Sequence, residues 1–138
     1  QEAVQRVNAA GITQVAAAGN NSGSVLYPAA YPEVIAVSAT DSTDNLASWS
    51  SRGPEVDLAA PGVSIYSTYK GQTYKTLSGT SMAAPHVTGA AALVLSVYPS
   101  FSPAEVQQRL QNTAEWLSGL TSDQQGSGLV DAEKAVIQ

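Results

Sequence analysis

Two short stretches of this chain carry residue types that can do chemistry at a carbonyl group. The first is Ser78-Gly79-Thr80-Ser81-Met82-Ala83-Ala84-Pro85-His86-Val87. Its glycine permits a tight approach, and Ser81 stands where an apolar helical run begins. A serine there points its hydroxyl outward, while backbone N–H groups at the helix start face any anion that develops nearby. The second is Val15-Ala16-Ala17-Ala18-Gly19-Asn20, a buried-strand pattern whose C-terminal end delivers an amide. Ligands of open α/β sheets bind at that end of the strands, so Asn20 is placed to donate its side-chain N–H to an oxyanion. Each stretch alone has a plainer reading: Ser is a common helix cap, and Asn after Gly is a common turn residue.

A serine hydroxyl attacks only when a base takes its proton, and the usual base is a histidine held by a carboxylate. The chain has one histidine, His86. It lies five residues after Ser81 on the same helix, about 7.5 Å along the axis and roughly 140° around it, so it cannot serve Ser81. The absence of cysteine removes thiolate nucleophiles, disulfides and zinc-thiolate sites. A lipase-like nucleophile elbow requires Gly-x-Ser-x-Gly, whereas Ala83 stands two residues after Ser81.

The elements that must hold these residues read as alternating α and β. At 138 residues, 43% hydrophobic and 12% charged, the chain is of globular composition. Its net charge of -5 and scattered bases argue against nucleic acid. No wholly apolar stretch of about eighteen residues argues for a membrane span. The pattern predicts a helix over 2–10 capped by Gly11, a strand over 12–18 covered on both faces, and a second buried strand over 34–40. Shorter strands follow over 57–60, 64–69 and 72–77. A helix from Ser81 to about Val97 is apolar on nearly every face and is expected to run through the interior. Ser102-Pro103-Ala104-Glu105 reads as a capping box opening a helix to Thr113, and a last helix follows Asp131. The first strand is expected to lack a neighbour on one side, leaving an apolar edge.

Taken together and in order, VAAAGN, YPAAYPEVIAVSAT, ASWSSRGP, DLAAPGVSIYST, GTSMAAPHVTGAAAL and GSGLVDAEKAV resemble the C-terminal half of the subtilisin-like serine peptidases. The resemblance implies an α/β, three-layer fold with a mostly parallel sheet, of which residues 1–138 are the C-terminal portion. It implies that Ser81 is the nucleophile, that Asn20 and the Ser81 N–H form the oxyanion hole, and that Thr80 supports it. Ala17, Ala18 and Gly19 are then a wall of the pocket for the side chain before the scissile bond. Leu26, where many relatives have glycine, lies at its base, and Leu77 and Met82 touch the leaving side. Tyr27-Pro28 is expected to be cis. A structural calcium or sodium is implied at Ala29, Tyr31, Val34, Glu55 and Asp57, and no cofactor for the chemistry.

The family's catalytic Asp and His precede everything matched here. The chain alone is therefore expected to be inactive, with an N-terminal half of the same protease as a second chain. Peptides, protein substrates or proteinaceous inhibitors are the other implied partners, and the family's commoner location is extracellular. The competing expectation is an inactive fragment or pseudoprotease that only binds peptide or a partner chain.

Overall fold

A computed structural model describes residues 1–137. Three strands form a parallel sheet in the order β1 (Val15–Ala17), β2 (Ile35–Thr40), β3 (Leu58–Pro61). Val15 lies opposite Ile35 and Val37 opposite Leu58. Every residue of β2 is buried, as an apolar run in a parallel sheet requires. Its alternate side chains serve two faces. Ile35, Val37 and Ala39 join the larger apolar cluster, which includes Ala83, Val87 and Val94, while Ala36 joins Ala18, Val25, Ala29 and Val56 on the other side.

The larger cluster is built by α2 (Thr80–Val97) lying on all three strands, with α3 (Pro103–Thr113) and α5 (Ala132–Ile137) packed behind it. The Ser102 capping box that opens α3 is formed, and Asp131 Oδ1 accepts the Lys134 N–H at the start of α5. A hairpin of β4 (Ile65–Tyr69) and β5 (Thr73–Leu77) stands apart as a two-stranded sheet leading into α2. At the other end, α1 (Glu2–Ala9) buries no residue fully.

Two expectations need correction, and one short helix has no counterpart in the sequence pattern. The first strand is shorter than 12–18 and its residues are half-buried, because β1 pairs only with β2; the outer side of β3 is instead covered by residues 126–130, through Ala59 N–H to Gly128 O and Val130 N–H to Ala59 O. The helix expected to run through the interior is covered on one side only. Thr80, Ala83, Val87, Ala90, Ala91 and Val94 are buried, whereas Pro85, Gly89, Ala92, Leu93, Ser96 and Val97 are exposed. This helix is long and apolar enough to cross a membrane by length and composition, but its buried side is seated on the sheet. Finally α4 (Ser122–Gln125) is a four-residue helix, too short for a periodic signal. It is fixed by fully buried Gln125, whose amide bonds Leu117 N–H and the Leu117 and Leu120 carbonyls.

Candidate active site

The end of β1 and the start of α2 meet where the sequence placed its two chemical stretches. Asn20 Oδ1 accepts hydrogen bonds from Thr80 N–H at 2.9 Å and from the Thr80 hydroxyl at 2.8 Å. The same hydroxyl oxygen accepts from Gly19 N–H at 3.2 Å. Thr80 is fully buried, so these bonds form in low dielectric and fix the amide's orientation. With its oxygen held, Asn20 turns Nδ2 outward. A methyl group built on Gly79 would lie 3.7 Å from Asn20 Nδ2, 3.7 Å from Ser81 N and 3.6 Å from Met82 Sδ. Two nitrogen donors therefore lie equally close to one point beside Gly79, a placement suited to stabilising an oxyanion.

Ser81 is exposed on the first turn of α2, which begins one residue earlier than the pattern predicted. No hydrogen bond engages its hydroxyl among the described residues. His86 points its Nδ1 at Met82 O, 2.9 Å away, and is held along its own helix. Pro85 has no N–H to give Ser81 O its usual helical partner.

Glycines set the approach of these segments. A Cβ on Gly62 would lie 2.6 Å from Ala39 Cβ and 2.8 Å from Gly79 O. Gly79 N–H donates to Gly62 O at 2.8 Å, and Gly62 N–H to Thr40 O at 2.9 Å, so the loop before Ser81 is tied to the end of β2. Gly19 has φ +118 and a Cβ there would come within 2.7 Å of Ser51 Oγ and 2.9 Å of Leu26 Cδ1. Neither Gly62 nor Ser51 stood out in the sequence. Pro61-Gly62 is an ordinary turn pair in the sequence, and Ser51 acts through its N–H, which donates to Gly19 O at 2.8 Å, and its hydroxyl, which donates to Asn21 Oδ1 at 2.7 Å.

Leu26 packs against Gly19, and its N–H donates to Ala18 O at 2.9 Å. It thus stands beside Ala17, Ala18 and Gly19 at the end of β1, with Tyr27-Pro28 cis immediately after. Leu77 and Met82 lie apart from these residues, lining a cavity of about 370 Å³ with Ser81.

The cation positions gather less completely. Tyr31, Val34, Glu55 and Asp57 line one cavity of about 270 Å³, and Ala29 is buried next to Ala30 on its wall. No cluster of three acidic or histidine side chains suited to a metal occurs among the described residues. Asp57 Oδ2 accepts from Ala36 N–H at 2.8 Å, and Oδ1 from the Gln107 and Gln111 amides at 2.9 and 3.3 Å. Burial pushes the Asp57 carboxyl above its ordinary value, against the lowering effect of the Ala36 and Gln107 bonds. The folded protein thus keeps this proton at pH values where the unfolded chain has lost it. The contribution of Asp57 to stability is full below the ordinary carboxylate value and is lost as pH rises through the raised one. Denaturation midpoints should show the stability of wild type relative to Asp57→Asn falling as pH rises through that window; a relative stability that grows with pH would contradict the assignment.

A parallel sheet, a serine at a helix start and two nitrogen donors beside it thus come together at one end of the sheet. The chain matches the Subtilase family over residues 1–131, and it belongs to that family. It is 51% identical over 140 residues to Subtilisin DY of Bacillus licheniformis, covering 98% of this chain and 50% of that protein. Subtilisin Savinase of Lederbergia lenta is 48% identical over 136 residues, again 98% and 50%. A thermostable alkaline protease of Halalkalibacterium halodurans is 50% identical over 134 residues, 96% of this chain and 37% of the relative. The chain thus spans half or less of the length of these curated relatives.

Proposed function

We propose that this chain is the nucleophile-bearing part of a serine endopeptidase acting outside the cell, and that it works with the family's Asp and His supplied from outside residues 1–138. The observation that carries the reading is the convergence of Asn20 Nδ2 and Ser81 N on one space beside an unengaged Ser81 hydroxyl. Ser81 Oγ adds to the scissile carbonyl while its proton passes to the supplied histidine. The carbonyl oxygen becomes an anion between the two N–H donors, and the C–N bond breaks as the histidine returns the proton to the leaving amine. Water then repeats the sequence on the acyl-enzyme. Gly19 and Leu26 at the end of β1 bound the pocket for the preceding side chain, with Leu26 favouring small to medium apolar groups.

The test is a serine-reactive phosphonate, applied to the chain alone and to the chain assembled with a segment bearing the Asp and His. Labelling at Ser81 in the assembly and not in the isolated chain is the expected result. An assembly that stays unlabelled favours the competing reading, a pseudoprotease that only binds.

A structural calcium or sodium is a second element of the proposal, supported by Glu55 and Asp57 lining one cavity with Tyr31 and Val34. Such an oxygen set suits a hard cation. Added calcium should raise the melting temperature of wild type, and raise it less in Asp57→Asn; equal shifts would remove the cation from this place.

A further inference from the structure

The hairpin beside the nucleophile carries a charge opposite to that of the chain as a whole. Net charge is -5, yet none of the eleven Asp and Glu residues falls within residues 58–104, where Lys70 and Lys75 lie. Neither lysine forms a salt bridge; the ion pairs among the described residues are Arg6–Glu2 and Lys134–Asp131. Lys75 Nζ is instead 5.0 Å from the centroid of the Tyr69 ring, and Lys70 Nζ is 6.0 Å from it. A ring face holds an ammonium without neutralising it. Both charges remain available to a ligand.

The register of the hairpin aims one of them. Ile65 pairs with Leu77, Ser67 with Lys75 and Tyr69 with Thr73, so these six side chains share one face. Ile65, Ser67, Lys75 and Leu77 from that face, with Tyr66 and Thr68 from the other, line the cavity of about 370 Å³ that also contains Ser81 and Met82. Lys75 and Leu77 are two positions apart on β5, about 7 Å, the spacing of alternate residues in an extended peptide.

We propose that Lys75, steadied over Tyr69, makes the leaving side of the cleft select substrates with an acidic side chain two or three residues beyond the scissile bond. This rests on Ser81 being the nucleophile and Leu77 the neighbouring leaving-side contact. A solvent-exposed charge pair of this kind favours Glu over Lys by about 3- to 10-fold once attraction to one and repulsion of the other are combined. The preference fades at about 1 M salt, where screening acts within about 3 Å.

The measurement is kcat/KM of the assembled protease on peptides that differ only in Glu, Gln or Lys at the second and third positions past the bond. The Glu-to-Lys ratio is the readout, because a general loss of folding or turnover cancels from it. We expect the ratio to exceed one, to approach one in 1 M sodium chloride, to persist in Lys75→Arg and to invert in Lys75→Glu. A ratio of one in wild type, or one that Lys75→Glu leaves unchanged, overturns the proposal and fits a cavity covered by the other part of the protease. Failure to cleave any peptide, with Ser81 unlabelled by phosphonate, would overturn the underlying reading and the proposal together.

Discussion

Ser81→Ala in the assembled protease is expected to lower kcat by about a million-fold, equivalent to about 8 kcal/mol in the barrier, with little change in the affinity for a peptide inhibitor. The size is the one found when a subtilisin loses its serine. What the geometry adds is the reason no neighbour can substitute. The hydroxyls nearest in the chain are committed or distant from the donors: Thr80 Oγ1 lies in the Asn20 and Gly19 bonds and is fully buried, and Ser78 Oγ accepts the Ser64 N–H at 2.8 Å. The Asn20 amide and the backbone N–H at position 81 both survive the substitution, since alanine keeps the latter. A residual rate from the donors and substrate binding should therefore remain above that in water. A loss of less than a hundredfold would mean that Ser81 does not carry the acyl group.

Much of this site was legible because its residues sit at element ends. Gly19-Asn20 closes an apolar strand and Gly79-Thr80-Ser81 opens an apolar helix, so both local patterns point at a strand end and a helix start. What a single segment does not encode is the contact between two of them. The bonds from Thr80 to Asn20 span sixty residues, and the close approach of Gly62 to Ala39 and Gly79 is visible only when three segments are in place. The same limit explains α2. Its composition predicts burial all round, yet burial depends on what is packed beside it, and the sheet, α3 and α5 cover one side. The open edge at β1 is likewise a matter of partners, since among the described residues β1 pairs with β2 alone.

Asn20→Ala should reduce kcat by about a hundred- to a thousand-fold while KM moves little, a magnitude likewise measured on a subtilisin. The ground-state carbonyl makes weaker demands on Nδ2 than the oxyanion does, so the loss belongs to the transition state. The structure adds a complication, because Asn20 Oδ1 also accepts from Thr80 N–H and from the Thr80 hydroxyl. Alanine at position 20 leaves that buried N–H without its acceptor, a cost of about 1–3 kcal/mol in stability, and frees the first turn of α2 to shift. Thr80→Val separates the two effects. It removes the hydroxyl that links Gly19 to Asn20, but keeps Asn20 Nδ2 and the Thr80 N–H to Asn20 bond that aims it. Its kcat loss should therefore be clearly smaller than that of Asn20→Ala. Equal losses would show that the loop's rigidity, rather than donation from Nδ2, sets the rate.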